Sequence, residues 1–215
     1  MKLLPRSRLH DLFLLLAMAA AWYANAVSLA VGGTLVILGL AMQLWSKSHL
    51  IRNTQVCTEG PYALCRHPFY LGNALFDIAL VVMSGCYWLL ILYPIAFYLA
   101  YLPVMRQEEA KLVSLFGSEY LEFRRTTGMI VPRPWLRWGH LRAPATAGNL
   151  VKEREVSRLL RHLSYPLLVL LAARVWQPPP RLTVGNLLMA GGVVACQVLA
   201  VVVYKTIERA GRAAA

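Results

Sequence analysis

Hydrophobic positions in this chain come in blocks, not in the alternation of a surface strand or the one-sided stripe of a soluble helix. Val27 to Trp45 holds 19 residues without a charge, Phe69 to Met105 carries only Asp77 across 37 residues, and Leu182 to Tyr204 is again uncharged. A helix needs about 20 residues to cross the hydrocarbon layer, so the blocks predict an all-α, integral membrane protein. Read in full, the pattern predicts six spans paired into hairpins, roughly 9–25, 27–45, 69–84, 86–105, 163–177 and 183–204. Asn25 and Ser84-Gly85 mark tight turns. Gln177-Pro178-Pro179-Pro180 ends the fifth span, because three prolines cannot continue a helix. Lys2, Arg6 and Arg8 followed by Leu12 to Ala21 also have the layout of a signal peptide. No polar, loop-rich domain follows, so an uncleaved first span is the expectation.

Composition agrees, with 58% apolar residues against about half in globular chains. The net charge of +12 could suggest nucleic acid, but its distribution argues otherwise. With six spans, both termini and the segments 46–68 and 106–162 share one side, and only Arg174 and Arg181 of the 22 basic residues fall toward the other. That is the positive-inside pattern, which predicts a cytoplasmic basic face in contact with anionic headgroups. The four cysteines form no CxxC pair and the five histidines are scattered, which gives no metal site and no disulfide framework.

The two polar stretches flank the second hairpin, so chemistry is expected at its cytoplasmic end. In the second stretch, RQEEAKLVSLF should continue the fourth span as helix. Gly117 reads as a left-handed stop and Ser118 as the cap of a new helix, with Glu119 and Glu122 near its start. Leu150, Val151, Val156, Leu159, Leu160 and Leu163 recur among basic residues in the manner of a helix lying in the headgroup layer.

Between the first two hairpins stands GPYALCRHPFYLG. Gly60-Pro61 signals a turn, and Pro68 fits the first turn of a helix whose amides and His67 could receive a carboxylate or phosphate. Tyr62 and Tyr70 add aromatic faces and hydroxyls. The alternative is that Arg66 grips headgroups, His67 caps the helix and the tyrosines belong to an interfacial belt. Glu108 and Glu109 leave the fourth span together, either to hold a cation or as a solvated helix end paired with Arg106 or Lys111. Tyr70, Asn73, Asp77 and Ser84 fall on one stripe of the third span. An acidic residue there costs about 2.5–3.5 kcal/mol on the insertion scale. Asp77 therefore lines a substrate cleft, bonds to another span, for example at Gln43 or Asn25, or is kept protonated.

GPYALCRHPFYLG, followed by EEAKLVSLFGSEYLEFRR and Pro132, resembles the isoprenylcysteine carboxyl methyltransferase family of polytopic membrane enzymes. The resemblance implies S-adenosylmethionine as cofactor, a cytoplasmic cofactor pocket and a lipophilic or lipid-modified acceptor entering between helices, with no nucleic acid involved. It implies that Thr54, Gln55, Val56 and Cys57 contact the cofactor and that Tyr62, His67, Pro68, Phe69 and Tyr70 form its main binding motif. Glu108 matches the acid that holds the cofactor's amino group. Asp77, Arg106 and Glu109 are the candidates for the catalytic, acceptor-facing side. The family usually places an acceptor-binding arginine where this chain has Val104, with Arg106 two positions on, so an isoprenylcysteine-like carboxylate stands beside a phospholipid amine or a thiol as acceptor. The chain is thus expected to divide into a methyltransferase core, 1–134, with cofactor segments 52–72 and 104–134, and a region 135–215 holding the interfacial helix and last hairpin. A nicotinamide-dependent reductase of the membrane steroid-reductase type and a non-catalytic membrane scaffold are the competing readings.

Overall fold

The computed structural model describes residues 6–50, 54–133, 140–141, 155–176 and 183–213. Among these, seven α-helices form: α1 (Arg6–Ala19), α2 (Ala26–His49), α3 (Pro68–Ser84), α4 (Leu89–Phe116), α5 (Ser118–Thr126), α6 (Glu155–Trp176) and α7 (Val184–Ala213). Single 3-10 turns cover Ala21–Tyr23 and Gly60–Ala63. The described residues contain no strand, only an isolated bridge between Cys65 and Gly128.

Three helices, α2, α4 and the Val184–Val203 part of α7, are long and apolar enough to cross a membrane. The other predicted spans also fold as helices but fall short of that measure. With 14 and 17 residues, α1 and α3 reach about 21 and 25 Å at 1.5 Å per residue, against about 30 Å of hydrocarbon. The fifth predicted span and the helical end of the predicted headgroup segment are one helix, α6. Residues 150–154 and Gln177-Pro178-Pro179-Pro180 lie outside the described residues.

Local chemistry accounts for the turns. Asn25 caps α2 by accepting from the Ser28 amide while the Ser28 hydroxyl accepts from the Asn25 amide, both at 2.9 Å, a reciprocal cap worth about 1 kcal/mol. Gly85 ends α3 at φ +74°, where an added Cβ would lie 2.2 Å from the Tyr23 carbonyl oxygen. At the end of α4, Gly117 has φ +52° but ψ −122°, outside the left-handed helical well, and α5 opens on Ser118 with no side-chain cap. The expected Ser118 cap is not formed, because Gly117 itself takes the cap position.

The centre of the bundle is α3, which packs on α1, α2, α4 and α6. Its most extensive partner is α2, and glycine sets their separation. A Cβ on Gly39 would meet the Phe76 amide nitrogen at 2.9 Å and the Gly72 carbonyl oxygen at 3.1 Å. Small residues let membrane helices approach until dispersion contacts hold them. Phe76, Ala79 and Leu80, all with no exposed surface, fill the core with Leu14, Val36 and Val169. On its other side, Tyr70 and Val81 of α3 pack with Leu9, Phe13, Tyr93 and Tyr101. This packing fixes the start of α3 against the point where the apolar run of α4 gives way, after Met105, to charged residues.

Candidate functional site

A cavity of about 310 Å³ opens where α2, the loop before α3, α3, α4 and α5 converge. The loop is held from below. The Arg66 and His67 amides donate to the Gly128 and Met129 carbonyls at 2.8 and 3.1 Å, so the segment after α5 folds back beneath RHPFY. Arg66 completes the fastening: its Nε donates to Glu109 Oε1 at 2.8 Å, and one Nη donates to the Arg124 and Thr127 carbonyls at 2.9 and 2.8 Å. The alternative reading in which Arg66 grips headgroups is corrected by these bonds, which engage its guanidinium inside the protein.

His67 is the residue preceding α3, but its side chain makes no cap bond. Its Nε2 lies 3.2 Å from Glu109 Oε1 and its Nδ1 lies 3.8 Å from Glu108 Oε2, while its ring stacks on Tyr70. The Tyr70 hydroxyl donates to Glu108 Oε1 at 2.6 Å. The start of α3 and the acidic pair of α4 therefore meet in one compartment. The first turn of α3 offers few amides to a ligand: Pro68 has no N–H, and the Tyr70 and Leu71 amides both donate to the His67 carbonyl.

The two glutamates differ in setting. Glu108 lines the cavity with its side chain 44% exposed, whereas Glu109 is 7% exposed and sits beneath, against Arg66 and His67. Burial works to raise the Glu109 carboxyl, but the hydrogen bond from His67 and the charge and hydrogen bond of Arg66 outweigh it and hold it below the usual carboxylate range. Burial pushes the Cys65 thiol up to about 12, which makes it a packed group and a poor nucleophile.

Of the residues read as cofactor-binding, Gln55, Val56, Cys57, Tyr62, His67, Pro68, Phe69, Tyr70 and Glu108 line the cavity, and Thr54 lies next to it in sequence but does not. The three read as catalytic do not line it. Arg106 is exposed on α4, two positions from Glu108 and so on a different face of the helix. Glu109 sits beneath the cavity, in contact with Arg66 and His67. Asp77 is sealed in the bundle: its Oδ1 lies 2.5 Å from His10 Nδ1, its Oδ2 accepts from the Tyr93 hydroxyl at 3.1 Å, and it has no exposed surface. A carboxylate so far from solvent needs partners on neighbouring helices, and α1 and α4 supply them in place of the anticipated Gln43 or Asn25.

Sequence reasoning did not single out Lys47 in the wall, and it placed Lys111, Leu112, Tyr120 and Phe123 there only as part of the cofactor segment 104–134. Tyr120 and Phe123 fall in the FGSEYLEF segment and could have been found from their helical spacing, because they pack with Val56 and Tyr62 over the cavity. Tyr120 is 1% exposed and its hydroxyl has no hydrogen-bond partner among the described residues.

The sequence model of the isoprenylcysteine carboxyl methyltransferase family matches residues 22–114. The chain is 35% identical over 106 residues to the cobalt-zinc-cadmium resistance protein CzcN of Cupriavidus metallidurans, covering 46% of this chain and 49% of that one. To the nickel-cobalt-cadmium resistance protein NccN of Alcaligenes xylosoxydans xylosoxydans it is 31% identical over 113 residues, 52% of this chain and 53% of the relative. To the protein-S-isoprenylcysteine O-methyltransferase of Schizosaccharomyces pombe it is 29% identical over 87 residues, 40% and 35% of the two chains. The chain thus spans about half the length, or less, of these curated relatives. No solved structure matches it.

Proposed function

We propose that this chain, whose residues 22–114 match the isoprenylcysteine carboxyl methyltransferase family, is an integral membrane methyltransferase that moves the methyl group of S-adenosylmethionine onto a lipophilic acceptor. The observation that carries the reading is the closure of the site: Tyr70 from the start of α3 and Glu108 from the charged end of α4 meet at 2.6 Å on one cavity wall.

The residues suit the cofactor. A cavity of about 310 Å³ lies at the small end of the ligand-pocket range of about 300–1,000 Å³. Glu108 is an anionic partner for an ammonium group, and the faces of Tyr62, Phe69 and Tyr70 suit a sulfonium and a heterocycle. The Tyr120 hydroxyl is a buried polar group without a partner among the described residues, which suits a polar ligand atom. When bound, the cofactor supplies an electrophilic methyl group for in-line displacement. The protein's share is orientation and exclusion of water. Tyr70 holds Glu108 in place, and Arg66 and Glu109 position His67 and the loop before α3.

The acceptor class is less constrained. A carboxylate is nucleophilic as it stands, as in the isoprenylcysteine substrates that the family name implies, whereas an amine or thiol must lose a proton. Among the described residues no group of three or more His, Cys, Asp or Glu could hold a metal ion. The distribution of basic residues supports a multi-pass arrangement with the cavity on the cytoplasmic side.

The test is incubation of membranes containing the full chain with methyl-labelled S-adenosylmethionine. Label in an extractable lipid or lipidated product, absent with Glu108→Gln, is expected, and base-labile label would identify an ester. No transfer to any fraction, together with NADPH-dependent fluorescence quenching, would replace the reading with a reductase.

A further inference from the structure

The cavity and the sealed contact between Asp77 and His10 are separate places, yet one side chain touches a member of each. Tyr101 of α4 is 1% exposed. Its ring lies 5.0 Å from that of Tyr70 and stacks on Phe97 at 4.5 Å. At the far end its hydroxyl accepts from Asn73 Nδ2 at 3.1 Å and lies 3.3 Å from His10 Nε2. A phenolic hydroxyl has one proton to give and lone pairs to accept with, so it can serve both partners at once. His10 stands on α1, Asn73 on α3 and Tyr101 on α4, so one oxygen gathers three helices. His10 is itself held at Nδ1 by Asp77. Both the ring and the hydroxyl of Tyr101 are therefore anchored.

Tyr70 has less to hold it. Its backbone is fixed by the first turn of α3, but its ring can swing about two side-chain torsions, and the hydroxyl at the tip moves furthest. His67 stacks on the ring at 5.6 Å, Tyr101 lies against it at 57°, and the hydroxyl donates to Glu108 Oε1 at 2.6 Å. We propose that Tyr101 is a positioning residue for the cavity. Anchored by Asn73 and His10, it sets the tilt of the Tyr70 ring, and the Tyr70 hydroxyl in turn sets the Glu108 carboxylate against the ligand. The proposal rests on the methyltransferase reading and extends it to a residue outside the cavity lining. A misplacement of about 1 Å in groups that orient a ligand can cost up to about 100-fold, which leaves room for a hydroxyl that acts at one remove.

The test is a double-mutant cycle on the full chain in detergent, titrated with S-adenosylhomocysteine. Tyr101→Phe keeps the ring and removes both anchoring bonds. It should weaken binding about two- to tenfold, the range set by loss of one hydrogen bond at Glu108. The same change made on top of Tyr70→Phe should have almost no effect, because the hydroxyl through which Tyr101 acts is already gone. A merely structural role would not show this dependence. Val169→Ala, in the separate core with Leu14 and Phe76, serves as the control: it should lower the thermal midpoint and leave affinity within about twofold. Equal weakening by Tyr101→Phe in both backgrounds, or none in either, would overturn the proposal and leave the methyltransferase reading intact. Failure of the wild type to bind would defeat that reading and the proposal with it. Should Tyr101→Phe not fold, Asn73→Ala withdraws one of the two anchoring bonds and carries the same comparison, with a smaller weakening that again vanishes in the Tyr70→Phe background.

Discussion

Two acid–histidine contacts meet on α3, and their surroundings are opposite. At the helix start, His67 lies between Glu108, nearly half exposed, and Glu109, whose second oxygen faces Arg124 at 3.9 Å. Farther along, Asp77 meets His10 of α1 and Tyr93 of α4 with no exposed surface, and the Tyr101 hydroxyl lies 3.3 Å from His10 Nε2. Each joins a carboxylate, an imidazole and a tyrosine hydroxyl. The first cluster borders a cavity, and the second is closed on every side by Phe13, Phe76 and the ring of His162. Burial and partner count, more than residue identity, separate a place for a ligand from a fastening between helices.

The comparison is broken most severely at Asp77. Removing one member of a buried pair costs about 3–5 kcal/mol, so Asp77→Leu should sharply lower the thermal midpoint in detergent. The double variant His10→Leu with Asp77→Leu should recover part of that loss. A double variant no better than the single would show that the contact does not hold the helices together.

At the other cluster, Glu109→Gln removes charge-assisted bonds to Arg66 and His67, each worth about 1.5–3 kcal/mol. The pH dependence has a definite sign. A carboxyl held below its unfolded value stabilises the fold above that value, and its contribution disappears as the pH falls from the unfolded value through the lower folded one. Wild-type stability should therefore fall on acidification across that acid window, and Glu109→Gln should flatten the fall when midpoints are measured against pH.

A smaller effect is expected at Tyr70→Phe, which loses one hydroxyl bond to Glu108. Cofactor affinity should fall by about 0.5–1.5 kcal/mol in calorimetry, with the midpoint almost unmoved because the ring stays packed. Smallest is Arg106→Ala on the exposed face of α4. Midpoint and affinity should stay within about 0.5 kcal/mol of wild type, and a large loss of activity would return Arg106 to the acceptor side.

Some of this was legible in the chain. Asn25 and Gly85 are local turn chemistry and stand where the sequence placed them. The RHPFY segment and Glu108 reach one cavity, with Glu109 beneath it, because α3 and α4 are neighbours in sequence joined by a short turn and pack on each other. What sequence reading missed depends on contacts between distant segments. His10 lies 67 positions from Asp77, and nothing near Asp77 advertises it. Arg66 looked like a headgroup anchor because the return of residues 127–130 beneath it has no periodic signal. Lys47 looked like one more positive-inside charge until the Phe69 ring was found beneath its ammonium.

The central claim is that Tyr70 and Glu108 face one methyl donor. Calorimetric titration of the full chain with S-adenosylhomocysteine, on wild type and Glu108→Gln with thermal midpoints measured alongside, tests it most directly. The account predicts binding by the wild type and a loss of about tenfold or more in the variant, with the two midpoints equal. Absence of binding by the wild type, or equal affinity in both proteins, would contradict it.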